Sequence, residues 1–265
     1  MSVVIPTFRR ERQVAEAIAS ALASADVSLE VLVLDDSPEG SARDAVNAMS
    51  DARLRYMKCA RPSGGRPAVV RNEGAKLARG RYLHFLDDDD ILESDALNVL
   101  SRCLESAPSA GMAFGATIPF GDDAGKLRRE QAFFRESARV ARSLRGRMQL
   151  VANLLLKPPV LVNSACMTRR ECFLACGGYD CAIPICEDID LWMRIARAND
   201  FIYLDRPVMH YRTGAPSLMH SLGENDARLE IAWRRIQGKY RQRHGLAELL
   251  LLKVWARTVL RIGVH

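Results

Sequence analysis

Short apolar runs and helical patterns alternate through the first third of the chain. Val3 to Pro6 is a β-branched run closed by proline, which reads as a buried strand ending in a loop. From Arg12 to Ala25, Val14, Ala17, Ile18, Ala21 and Leu22 recur at helical spacing. Val31 to Leu34 forms a second buried strand that ends on Asp35 and Asp36, and Ala42 to Met49 a second helix. Leu54 to Cys59 is a third strand, followed by the turn-rich RPSGGRP. Val69 to Ala78 returns to helix, Gly80 stops it, and Tyr82 to Leu86 is a fourth strand running into Asp87–Asp90. Continuous apolar strands separated by helices predict an α/β fold, with a mostly parallel sheet covered on both faces. Such sheets bind ligands beyond the carboxyl ends of their strands. Pro6–Thr7–Phe8, Asp35–Asp36 and Asp87–Asp90 all fall at such ends.

The middle of the chain is less regular. Asp95–Glu105 reads as a helix, Met112–Ile118 as a strand, and Asp122–Arg147 as a charged, Arg-rich connection without regular structure. Val160–Met167 reads as a strand, Glu171–Cys176 as a short helix and Gly177–Asp180 as a turn. Asp188–Arg197 is an amphipathic helix with Ile189, Trp192, Met193 and Ala196 on one face. Phe201–Leu204 and Val208–Arg212 close an α/β domain over residues 1–215, and residues 216–265 form a helical C-terminal extension.

Composition narrows the class without choosing a function. The 265 residues are 48% hydrophobic and 26% charged, which excludes a disordered or coiled-coil chain. No uncharged apolar run reaches the roughly 20 residues of a spanning helix. The opening MSVVIPTF lacks the pattern of a secretory signal. The 7 cysteines include no C-x-x-C pair and no zinc-site spacing, so reduced, mostly buried thiols in a cytoplasmic protein are expected. A net charge of +6 points to anionic partners. No recognised module or aromatic platform accompanies it, which speaks against nucleic acid.

FLDDDD carries the first chemistry. Four adjacent carboxylates repel one another unless a cation sits among them. At a strand end they suit Mg²⁺ or Mn²⁺, and the ion in turn suits a diphosphate. A solvated acidic loop whose Asp90 caps the helix near Ile91 is the competing reading.

Motifs elsewhere bear on that choice. VVIPTF, VLVLDDS, VVRNEGAKLARGRYLHFLDDDD, GGYD and CEDIDLWMR occur in this order. Together they resemble the family 2 glycosyltransferases, inverting enzymes of GT-A fold. The likeness is dense over residues 2–90 and recurs at 177–213. It implies a nucleotide-binding half at 1–90 and an acceptor-binding half at 91–215. It further implies that Pro6, Thr7 and Phe8 line the nucleotide-base pocket and that Asp36 accepts a hydrogen bond from the base. Arg71 would be a fixed cation near base and phosphates. Asp87, Asp88 and Asp89 would be the D-x-D element, with Asp89 the ligand of Mn²⁺ or Mg²⁺ and the others nearer ribose and donor sugar. Asp188 would be the general base, and Glu187 and Trp192 would meet the acceptor. A UDP-sugar is the family's usual donor, and the acceptor a glycan or lipid-linked glycan, as in polysaccharide biosynthesis on the cytoplasmic side of a membrane. The family's late YR-x-H-x-x-S pattern is replaced by YRTGAPS. His210, Arg212 and His220 are therefore weak candidates, and His210 reads as an ordinary partly buried histidine. Asp190 and Arg194, four apart, read as a solvated helix pair.

Two other readings stay in view. A sugar nucleotidyltransferase would carry a Gly- and basic-rich loop after the first strand, where Pro6–Thr7–Phe8–Arg9 stands. A non-catalytic scaffold of the same fold would not need Asp36, Asp87, Asp89 and Asp188 intact. The tail offers one more surface. Leu246–Gly263 is apolar apart from Glu248, Lys253, Arg257, Thr258 and Arg261, and its cations are spaced by four. Such a helix suits an anionic membrane surface, its own domain, or a second subunit in a homodimer.

Overall fold

The computed structural model describes residues 1–214 and 227–258 of the chain. Its first part is β1 (Ser2–Thr7), α1 (Glu11–Leu22), β2 (Glu30–Asp35), α2 (Arg43–Asn47), β3 (Leu54–Lys58), α3 (Pro67–Leu77) and β4 (Tyr82–Phe85). Then come β5 (Ile91–Leu92), α4 (Ala96–Ser106), β6 (Ala110–Phe120), α5 (Ala124–Ser143) and α6 (Arg147–Leu156). The chain continues through β7 (Cys166–Arg169), α7 (Arg170–Ala175), α8 (Glu187–Ala198), β8 (Asp200–Arg212) and α9 (Ala227–Thr258). The strands make one 8-stranded sheet in the order β3-β2-β1-β4-β7-β6-β8-β5.

Strands β3, β2, β1 and β4 are parallel, and the register puts Thr7 opposite Asp35 and Asp35 opposite Lys58. Their carboxyl ends therefore finish on one level, which is what gathers the polar strand ends. Side chains alternate between the two faces. Val3 and Ile5 pack with Val14, Ile18, Leu97 and Leu100 on the α1 and α4 side. Val4, Leu32, Leu34 and Phe85 pack on the opposite side with residues of α3, α6, α8 and α9. Helix α3 starts on Pro67, whose missing N–H costs nothing in a first turn. It then lies so close to the sheet that a Cβ on Gly74 would stand 2.3 Å from Val4 Cγ1.

Several sequence expectations are corrected. Asp122–Arg147 is no loose connection: Asp123 accepts hydrogen bonds from the amides of Gly125 and Lys126 and starts the 20-residue helix α5. Only Phe134, Val140 and Ala141 of that helix are buried, so its apolar stripe is too thin to show among the charges. Strand Val160–Met167 shrinks to Cys166–Arg169, preceded by a 3-10 turn over Asn163–Ala165. Helix α6 shows no clear apolar period because Leu150–Leu155 is buried throughout, Asn153 included. Phe201–Leu204 and Val208–Arg212 are one strand, β8, whose register against β6 shifts around Ala116. All seven thiols are free, but only Cys59 and Cys166 are buried and Cys181 is exposed.

Of the proposed C-terminal extension, residues 215–226 and 259–265, with His220 and Arg261, lie outside the described residues. Helix α9 kinks at Gly245, which takes φ 85. It packs on its own domain: Ile236, Tyr240, Leu249, Leu252 and Ala256 are all buried in the core around α6. Gly74→Ala should therefore force α3 from β1 and cost about 1–3 kcal/mol by urea denaturation, as overpacking does. An unchanged midpoint would show that the helix and sheet are not in close contact there.

Candidate active site

The two aspartates ending β2 divide their labour. Asp35 is fully buried and accepts hydrogen bonds from the Ser37 amide (2.9 Å), Ser37 hydroxyl (2.6 Å), Ala42 amide (2.9 Å) and Tyr56 hydroxyl (2.9 Å). It fixes the turn into α2. Asp36 faces the cavity and holds the Ser63–Gly65 loop, accepting from the Ser63 amide (2.6 Å), Ser63 hydroxyl (2.7 Å) and Gly65 amide (2.7 Å). Gly64 and Gly65 take φ 77 and 81, which lets that loop turn back beneath the ring of Phe8. Pro6, Thr7, Phe8 and Asp36 thus share one end of the cavity.

The run Asp87–Asp90 is internally sorted by its partners. Arg10, at the start of α1, donates one guanidinium nitrogen to both Asp88 (2.8 Å) and Asp89 (2.7 Å). It is the cation that four adjacent carboxylates require, and sequence reading missed it. The signal was present as two arginines directly after the first strand. Asp90 points away from the cavity and accepts from the Ser164 hydroxyl (2.6 Å) and the Arg212 amide (3.2 Å). Burial pushes the Asp88 carboxyl up to about 6 against the pull of Arg10. Burial also raises Asp89, and it raises Asp90 well above the usual range together with the neighbouring Asp89 and Asp87 charges. The cluster is short of positive charge even with Arg10 in place.

Arg71 links this cluster to the second acidic centre. The residue is 5% exposed, and its guanidinium donates to Asp87 Oδ1 at 2.5 Å and to Glu187 Oε1 at 2.7 Å, residues 116 apart in the latter case. The ring of Tyr179 lies beneath it, 5.4 Å from the guanidinium carbon. Tyr179 is held in turn by Asn72, which donates to the Tyr179 carbonyl (2.8 Å) and accepts from the Tyr179 amide (2.9 Å). Gly178 is needed in this clasp, since a Cβ there would meet Asn72 Oδ1 at 2.6 Å.

Helix α8 begins at this point. Cys186 takes φ 60, a backbone conformation rare outside glycine, and turns Glu187 inward to Arg71 and Asp188 towards the cavity. Burial first, and the Glu187 charge second, raise Asp188 to about 7, partly offset by Arg71. Asp188 also accepts from the Ile189 amide at 2.8 Å. Trp192 is 2% exposed, so its ring is mainly core and reaches the cavity only as floor.

The cavity measures about 630 Å³ and brings Pro6, Thr7, Phe8, Asp36, Arg71, Asp87, Asp88, Asp89, Glu187, Asp188 and Trp192 together. Arg129, Phe133 and Phe134 of α5 wall the other side, none of which sequence reading proposed. His210 stands elsewhere, on β8 beside β5, with Nε2 2.8 Å from Glu93. Arg212 donates from Nε to the Asp89 carbonyl (2.9 Å) and pairs with Glu16, so it braces the acidic loop. Asp190 and Arg194 do pair, but Asp190 is 1% exposed rather than solvated, because Arg243 of α9 also binds it at 3.0 Å.

The raised Asp188 carboxyl has a thermodynamic sign. Its proton is bound more tightly in the folded chain than in the unfolded one, so the stability it contributes is present at acid pH and lost as pH rises towards 7. Asp188→Asn should therefore raise the unfolding temperature by a few degrees at about pH 8 and leave it unchanged near pH 4. An unfolding temperature lowered at both values would contradict this placement.

Residues 2–176, more than half of the chain, match the profile of Glycosyl transferase family 2. Among curated relatives, the succinoglycan biosynthesis protein ExoO of Rhizobium meliloti (strain 1021) is 35% identical over 42% of this chain and 30% of its own length. The UDP-Glc:alpha-D-GlcNAc-diphosphoundecaprenol beta-1,3-glucosyltransferase WfgD of Escherichia coli is 31% identical over 37% of this chain and 38% of its own. The chain spans less than two thirds of the length of the curated relatives it matches. Among solved structures, S. aureus TarS 1-349 in complex with UDP-GlcNAc superposes with a TM-score of 0.66 at 18% identity, over 91% of this chain and 66% of that one. The likeness to TarS identifies the mixed sheet and its helices as a GT-A fold, and the profile sets the nucleotidyltransferase reading aside. The chain belongs to glycosyltransferase family 2.

Proposed function

We propose that the chain transfers a sugar from a nucleoside-diphosphate sugar, UDP-linked, to a hydroxyl of a lipid-linked glycan, with inversion at the anomeric carbon. The observation that carries this reading is the buried Arg71 bridge between Glu187 and Asp87, which sets Asp188, a carboxyl raised to about 7, in one cavity with the acidic strand end. A carboxylate tuned near neutrality takes a proton from an acceptor hydroxyl more readily than an ordinary aspartate. As the acceptor oxygen bonds to the anomeric carbon, the bond to the diphosphate oxygen breaks and the hydroxyl proton passes to Asp188. The leaving group departs as a nucleoside diphosphate from the opposite face, so no covalent enzyme intermediate is required. Arg10 and Arg71 keep the aspartates ordered while that charge develops. Phe8 and the Asp36-held loop make the base end of the cavity, with the Phe8 ring set to pack on base or ribose.

Asp89 would hold Mn²⁺ or Mg²⁺, with Asp87 and Asp88 nearer ribose and donor sugar, and the chemistry fits, since the cluster lacks positive charge. Among the described residues no group of three or more His, Cys, Asp or Glu side chains converges on one point. Diphosphate oxygens and water would complete the shell, as hard cations at phosphate sites prefer. The ion would supply a counter-charge to the departing diphosphate. The acceptor class draws on WfgD and on the Campylobacter jejuni relative named GalNAc(5)-diNAcBac-PP-undecaprenol beta-1,3-glucosyltransferase, and UDP on the ligands of TarS.

Thermal-shift titration with UDP, dTDP and GDP, each with and without Mn²⁺, should show metal-dependent stabilisation by UDP. A scaffold would respond to none. Asp188→Asn should keep that response yet lower transfer or donor hydrolysis by about 10²–10⁴-fold. Near-normal turnover by this variant would remove Asp188 as the base.

A further inference from the structure

Beyond its kink at Gly245, α9 is apolar on two opposite sides. Leu249, Leu252 and Ala256 recur at helical spacing and are buried against the domain. Leu246, Leu250 and Leu251 face the other way and are 47%, 50% and 70% exposed. Large apolar side chains grouped on one exposed face mark a contact surface.

The charges around that face select its occupant. From Arg241 to Trp255 the cations are Arg241, Arg243 and Lys253, and Glu248 is the single acid. Glu248 is already committed: it accepts from Arg197 at 2.9 Å and from the Tyr240 hydroxyl at 2.5 Å. Arg243 is likewise engaged by Asp190 at 3.0 Å. Arg241 and Lys253 form no ion pair among the described residues. A second copy of the chain set face to face would bring these cations together with no acid to answer them. Negatively charged lipid headgroups answer them directly. Lys253 borders the leucines, so its methylene stem can follow the apolar face while its ammonium reaches headgroups.

We propose that the outer face of α9 beyond Gly245 is a membrane-contact surface, which lays this helix flat in the interface of an anionic bilayer. Apolar burial and cationic attraction are the two contributions such binding combines. No helix among the described residues is long and apolar enough to cross a membrane, so the contact is peripheral. The same helix reaches the active site through its inner side. Lys239 pairs with Asp180 and Arg235 donates to the Ala182 carbonyl, just ahead of the cavity-lining Pro184–Asp188 segment. The part of α9 before the kink thus braces the cavity wall, and the part beyond it carries the membrane face.

Flotation of the full chain with vesicles of phosphatidylglycerol and phosphatidylcholine, and with phosphatidylcholine alone, tests the proposal. Neither donor nor acceptor enters the assay, so its outcome is separate from the transferase reading. The chain should float with the anionic vesicles and remain behind with the neutral ones. Leu250→Glu combined with Leu251→Glu should cut the floating fraction by at least about tenfold, because both the apolar burial and the charge match are lost. Both positions are exposed, so the variant's melting temperature should match that of the parent chain. Absent flotation, equal flotation on neutral vesicles, or flotation unaffected by the double substitution would overturn the proposal. So would a concentration-dependent dimer in sedimentation velocity that the same substitutions dissociate.

Discussion

The guanidinium of Arg71 is the point on which this structure depends. It is almost fully buried, and it is tolerated there because Asp87 and Glu187 reach it from opposite sides. Burial works against its charge, yet the Asp87 and Glu187 charges hold its pKa above the usual arginine value. One carboxylate belongs to the loop that follows β4 and the other to the start of α8, so the ion pair joins two segments far apart in sequence. Removing either acid would leave a buried charge without its full complement, which costs far more than the pair itself contributes. The arginine is thus both a rivet and an electrostatic reference for the site.

Around it, the site is held in a state of charge crowding. Asp88, Asp89, Asp90, Glu187 and Asp188 are all raised, with burial the largest cause in each. Arg10 and Arg71 relieve the crowding only in part. A fold optimised for stability alone would not collect so many carboxyls behind so few cations. That imbalance is what the proposed divalent cation would relieve. The left-handed backbone at Cys186 belongs to the same pattern: local strain is accepted where it aims Glu187 and Asp188 in different directions.

The parallel half of the sheet was legible because its strands are continuous apolar runs and its polar residues collect at their ends. Asp36, Arg71, Asp87–Asp89 and Asp188 were legible as motif members, and the fold brings them to one cavity. What their side chains touch was not legible. Glu187, expected at the acceptor, is engaged by Arg71, and Asp36, expected at the base, is engaged by Ser63 and Gly65. Such pairings join residues 27 to 116 positions apart and depend on the register of the sheet. Helices α5 and α6 were hidden for opposite reasons, one too polar and the other too apolar to show a clear period. The solvated reading of Asp190 failed because its second partner, Arg243, sits on the distant α9.

In the proposed reaction Asp188 is a base that its surroundings tune to near neutral pH. The pH dependence of kcat/KM tests it most directly, because its ascending limb reports the essential base of the free enzyme. A base so tuned gives a limb at about 7, and a lower one in Glu187→Gln, where the like charge beside Asp188 is gone. A limb at the ordinary carboxylate value of about 4, or one that Glu187→Gln leaves in place, would contradict it.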